Sequence, residues 1–153
     1  MDFPRLFAYT TGLLFIALAI ILFTSKFIVY ANNPSFIGSL THFGFGFLYL
    51  NLVFAISRRY IRKVMRDTVI QYYFAVVAAI PPVVWINVFD TGLSETVSLQ
   101  ISVIIGTFMG GWLGHRSGVK LRDQFIQKQQ EAAAQEQDLP EVLQRPHDNL
   151  NKN

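Results

Sequence analysis

The chain has 153 residues, with 13 Lys and Arg against 10 Asp and Glu, and it is 52% hydrophobic and only 15% charged; a soluble domain carries about 25% charged residues. With a mean hydropathy of +0.34, these values argue against a soluble enzyme, a disordered chain and a nucleic-acid-binding domain. Cys is absent, which removes disulfide frameworks, Cys-based zinc sites, iron–sulfur clusters and thiol nucleophiles.

Four apolar runs are each long enough to cross about 30 Å of hydrocarbon as a helix of roughly 20 residues. They cover about 6–30, 36–56, 68–89 and 97–114. Backbone groups in lipid must bond within their own segment, so the runs predict helices. They are continuous and do not alternate, which argues against a barrel. The first run has small residues at Val29-Tyr30-Ala31 in a pattern compatible with signal cleavage. Its apolar stretch Leu6–Phe23 spans 18 residues, however, against about 7–15 for a signal core. It is therefore expected to remain as the first span. Ala31 to Ser35 reads as a turn, because Asn and Pro disfavour a continued helix.

In the second run Gly38, His42 and Gly46 form a small-residue row with Gly44 alongside, and Phe43, Phe45 and Phe47 fill the positions between. This predicts pairing of the second helix with the fourth, the Phe rings covering the lipid side. Arg58 to Asp67 reads as a basic linker. On a helix Arg58, Arg59, Arg62, Lys63 and Arg66 share one face, and Tyr60, Ile61, Val64 and Met65 share the other. Such an amphipathic turn can lie on a membrane surface with its cations on lipid headgroups. The third run contains Pro81-Pro82. The pair removes two backbone donors and predicts a kink, with the freed carbonyls near Val77 and Ala78.

The fourth run carries the clearest pattern. Gly106, Gly110, Gly114 and Gly118 recur at every fourth position, with Gly111 beside the row. At 3.6 residues per turn this makes one shallow groove, a glycine zipper in which another backbone approaches closely. The spacing itself allows either a helix of the same chain or a second protein as the neighbour. Gly118, past the span, is expected at the surface and tolerant of Ala. After Gly114 the composition turns polar: 116–137 reads as a helical extension, and 138–153, with two Pro, as a disordered tail.

Charge sets the orientation. With the basic linker and the tail in the cytoplasm, 12 of the 13 basic residues lie inside, all but Lys26. This positive-inside bias places both termini in the cytoplasm, and it accounts for the pI of about 9.3 without nucleic-acid binding. A bacterial inner membrane is the expected location. His42 and His115 are placed at opposite ends of their helices, so they cannot share one metal, and no cofactor is called for. Thr10, Thr11, Asn51, Gln71, Asn87, Gln100, Ser102 and Thr107 are uncharged polar residues within the spans, expected to bond across helices.

The fold expected is all-α, a polytopic transmembrane four-helix bundle (residues 1–115) with a cytoplasmic helical extension and a disordered tail. The function expected is a structural or accessory subunit, contacting lipids and another membrane protein or itself through the fourth helix, with no catalysis of its own. The alternative is a small oligomeric transporter or channel for a neutral or hydrophobic solute. A proton-coupled carrier is disfavoured by the lack of a carboxylate within the spans.

Overall fold

The computed structural model describes residues 3–31, 36–63, 69–89 and 93–137. Each segment is one helix: α1 Phe3–Ala31, α2 Phe36–Lys63, α3 Val69–Phe89 and α4 Leu93–Gln137. All four are long and apolar enough to span a membrane. Residues 1–2, 32–35, 64–68 (among them Arg66), 90–92 and 138–153 lie outside the described residues.

One boundary differs from the sequence reading, and one extension is as expected. α2 does not stop at position 56 but continues to Lys63, so much of the expected linker is the last turn and a half of a helix. α4 runs unbroken from the span into the extension. The physical reason is the same in both places: Arg, Lys and Gln are good helix formers, and the end of hydrophobicity is not the end of hydrogen bonding. α3 likewise continues through Pro81-Pro82 without interruption, Pro82 being buried.

The most extensive contact is between α2 and α4, which are not consecutive in the chain; α3 packs on α4 next, and α1 lies against α2 and α3 while barely meeting α4. Two clusters form the core. Ala17, Ile21, Phe45, Tyr49, Ile86, Leu99 and Val103 bring all four helices together toward one end. Leu13, Val53, Tyr60, Ile61, Ile70, Phe74 and Ala78 join α1, α2 and α3 toward the other, with Val119 of α4 at its margin. Outside these clusters the surface is itself apolar: Phe15 is 75% exposed, Phe23 83% and Phe43 71%. Burial of apolar groups away from water therefore does not distinguish core from exterior here, and shape complementarity between helices must.

The Phe residues of α2 divide accordingly. Phe43 and Phe47 stack on one another at 6.2 Å on the exterior, one turn apart on the same face. Phe45, on the opposite side of the helix, is buried in the core. The expectation that all three rings cover the outside is corrected to two.

Candidate functional site

The α2–α4 seam is built from backbone. A methyl group on Gly106 would strike the carbonyl oxygen of Gly46, and one on Gly110 the carbonyl oxygen of Leu50. At Gly114 the added carbon would lie 2.7 Å from the Phe54 oxygen, and at Gly118 it would lie 2.9 Å from Cβ of Ile61 and 3.0 Å from the Arg58 oxygen. The partner positions 46, 50, 54 and 58 advance in step with the glycines, one turn at a time. Two helices holding one register from Gly106 to Gly118, about 18 Å at 1.5 Å per residue, run in the same direction and nearly parallel. A crossing near −40° would carry their ends apart. Gly46 returns the approach from the α2 side, its added carbon falling 2.9 Å from the Ser102 oxygen. The neighbour in the glycine groove is thus α2 of the same chain.

Three glycines behave differently from their place in the sequence pattern. Gly118 is buried against Ile61 and Arg58, so the expectation of a surface position is corrected. It fails because α2 continues past position 56 and keeps covering the row. Gly111 faces α3, where its added carbon would meet the Gln71 carbonyl oxygen at 2.5 Å. Adjacent Gly110 and Gly111 therefore let one turn of α4 touch the backbones of α2 and α3 together. Gly44 has nothing within 4 Å of its Cβ position; it turns away from the seam. Gly38 is buried.

Polar side chains mostly bond to their own helices, against the expectation of cross-helix pairs. Asn51 Nδ2 donates to the Phe47 oxygen and Asn87 Nδ2 to the Val83 oxygen, each at 2.8 Å. Thr107 Oγ1 donates to the Ile104 oxygen, also at 2.8 Å. In each case the acceptor is a carbonyl about one turn back on the same helix. Thr10 is the exception: its Oγ1 donates to the Leu6 oxygen and also meets the Tyr73 hydroxyl at 3.0 Å, tying α1 to α3. The buried tie between α1 and α2 comes instead from Tyr49, whose hydroxyl donates to the Ala17 oxygen at 2.9 Å. Nothing in its sequence surroundings marks Tyr49 out from the other aromatics.

A second feature absent from the sequence reading lies at the end of the bundle where α2 finishes. Ser57 Oγ, Gln71 Oε1 and His115 Nε2 are buried without a hydrogen-bond partner. Ser57 and Gln71 flank one stretch of α4, with Gly111 against the Gln71 backbone and Gly114 against Ser57, and His115 lies on that stretch. Tyr60 closes this level, its ring meeting Tyr9 and Phe74 edge-on at 5.3 Å each. Buried polar atoms normally find a partner, so each such group at this level carries a desolvation cost. His42 is far from it: with His115 level with α2 position 55 in the shared register, the two imidazoles are separated by about 20 Å along the axis. Among the described residues no three His, Cys, Asp or Glu side chains converge to hold a metal ion.

The same end carries the basic residues. Arg58, Arg59, Arg62 and Lys63 are exposed, whereas Tyr60 and Ile61 are fully buried. The described part of the amphipathic turn's apolar face, Tyr60 and Ile61, is thus spent on the bundle, where Ile61 covers Gly118; Val64 and Met65 lie outside the described residues. The turn's described cations are presented outward. Arg58 stands 5.7 Å from the Phe54 ring centre and Arg116 5.8 Å from that of Trp112, cation–π distances that hold both guanidinium groups over the ends of the apolar faces. Arg66, the fifth cation of the turn, lies outside the described residues.

No family model, curated protein or solved structure matches this chain. Among the described residues the fold is all-helical, with four helices each long and apolar enough to cross a membrane.

Proposed function

We propose that this chain is a small integral membrane protein that serves as a structural or accessory subunit, with no catalysis of its own. The observation that carries this reading is the division of labour along α4. Its first half is locked backbone to backbone against α2 and α3, which makes a rigid frame. Its second half continues past the frame, with every residue from Gln124 to Gln135 exposed. This is a helical arm about 18 Å long, set on a membrane-held base and free to meet a partner. The charge split of the sequence supports placing the arm and both termini in the cytoplasm, with a bacterial inner membrane as the location.

The glycine row enters this reading as internal architecture, and a partner membrane protein would use other surfaces. Purification of the full chain in mild detergent tests it: a stoichiometric second protein, crosslinked to residues of the arm, is the expected result. Recovery of a lone monomer, or of a homo-oligomer with no second protein, refutes it. The homo-oligomer is the outcome expected from the alternative, an oligomeric transporter or channel for a neutral or hydrophobic solute. That alternative draws on an apolar groove of about 620 Å³ between α1 and α2, lined by Phe15, Ile16, Ala19, Ile20, Phe23 and Leu48 among others.

A further inference from the structure

Two basic grooves open where α2 ends and α4 runs on. The larger, about 490 Å³, is lined by Arg62 and Lys63 of α2 and by Leu121, Gln124, Phe125 and Lys128 of α4. The smaller, about 250 Å³, is lined by Phe54, Ala55, Arg58, Arg59 and Arg62. Arg62 is a wall of both. Among the described residues every charged side chain in either lining is a cation, and the rest are apolar apart from Gln124.

This composition selects its ligand. The gathered cations repel one another, and an anion between them relieves that repulsion. Guanidinium groups match the oxygens of a phosphate in paired, charge-assisted hydrogen bonds. An inorganic anion would use the cations but leave Leu121 and Phe125 against water. An acidic peptide would have no use for Phe54 and Ala55, which sit on the apolar stretch of α2. An amphiphile with an anionic head uses both kinds of surface. From Arg62 back to Phe54 is about 12 Å along the helix, which leads from a headgroup layer into hydrocarbon, the two together being about 40–45 Å thick across a whole bilayer.

We propose that these adjoining grooves bind an anionic membrane phospholipid, its phosphate seated at Arg62 and its acyl chains running back along α2 past Ala55 and Phe54. The proposal rests on the chain being embedded in a membrane and not on the accessory-subunit role, so a missing protein partner leaves it standing. Basic pockets at the inner ends of spanning helices are suited to such lipids on electrostatic grounds, at about one charge's worth of attraction per Lys or Arg.

The test uses the full chain, delipidated in neutral detergent, with lipid binding followed by native mass spectrometry. Phosphatidylglycerol and phosphatidylcholine are the probes, one anionic and one zwitterionic. Wild type is expected to retain phosphatidylglycerol and to release phosphatidylcholine. Arg62→Gln with Lys128→Gln should weaken phosphatidylglycerol binding by about tenfold to thirtyfold, from two lost charges. Arg116→Gln with Lys120→Gln removes the same charge from α4 outside the grooves; these cations do not line the site and act on it only through solvent-screened distance, so binding should change by less than about threefold. Melting temperatures report whether each variant is folded; should the first pair unfold, Arg59→Gln with Lys63→Gln makes the same removal from the grooves and carries the same expectation. Equal losses in the groove and control pairs overturn the proposal. So does equal retention of the two lipids, or displacement of bound phosphatidylglycerol by millimolar inorganic phosphate or by a Glu-rich peptide.

Discussion

Replacing Gly110 by Ala tests the seam at the middle of the glycine row, between Gly106 and Gly114. The added methyl lands against the Leu50 backbone, with Cα and C of Leu50 at 3.0 Å and the oxygen closer still, where ordinary contact begins at 3.4 Å. Side chains can swing aside, but this obstacle is helix backbone, so α2 as a whole must withdraw. A retreat of 0.5–1 Å forfeits about a quarter to a half of the dispersion energy of each contact it opens. Gly106 and Gly114 grip the same helix one turn away on either side, so the loss spreads beyond one residue. Overpacking of a filled interior costs about 1–3 kcal/mol, and Gly110→Ile should exceed the Ala variant. The internal control is Gly44→Ala, where the methyl meets nothing within 4 Å. There the better helix propensity of Ala should leave stability unchanged or raise it by up to about 1 kcal/mol. Thermal unfolding in mild detergent, at two protein concentrations, reads the outcome. A Gly110→Ala variant as stable as Gly44→Ala refutes the packing argument. A loss that appears only on dilution, with the monomer still folded, refutes the assignment of the groove to α2 of the same chain.

Gly118→Ala, which lies against Ile61 and Arg58, should lower the melting temperature in the same assay, though less than Gly110→Ala because a side chain provides part of the obstacle; no change would mean that α2 frays before this turn. Tyr49→Phe removes the hydroxyl bond to Ala17 and should cost about 0.6 kcal/mol, the average for a bond between helices in lipid, measured as a shift in unfolding midpoint; an unchanged midpoint would mean the bond adds nothing. Ser57→Ala deletes a buried oxygen without a partner and should be neutral or stabilising, since the desolvation it removes is about 1–3 kcal/mol; a clear loss of stability would reveal a water held at that oxygen. Because the chain has no Cys, single Cys substitutions at Asn32, Gly92, Arg62 and Asn153 can map sidedness with an impermeant thiol reagent. The first two should label from outside intact cells and the last two only after lysis, and external labelling at Asn153 would overturn the orientation.

What the sequence determined was the presence, kind and approximate extent of four helices. That follows from length alone: a run of apolar residues long enough to cross hydrocarbon can satisfy its backbone only as a helix. It also marked the α4 face that accepts a close neighbour, since absence of a side chain is a local property readable from every fourth residue. Which neighbour lies there was decided by the tertiary structure, because a glycine groove specifies distance of approach and not identity. The face of Tyr60 and Ile61 shows the same limit. Its periodicity describes an apolar surface but not whether that surface meets lipid or another helix, and only the continuation of α2 alongside α4 turns it inward and buries Gly118. Ser57, Gln71 and His115 lie far apart along the chain and become one buried polar level only where α2, α3 and α4 meet. In a chain whose exterior is as apolar as its core, hydrophobic patterning locates the helices, and close packing between particular backbones decides how they are arranged.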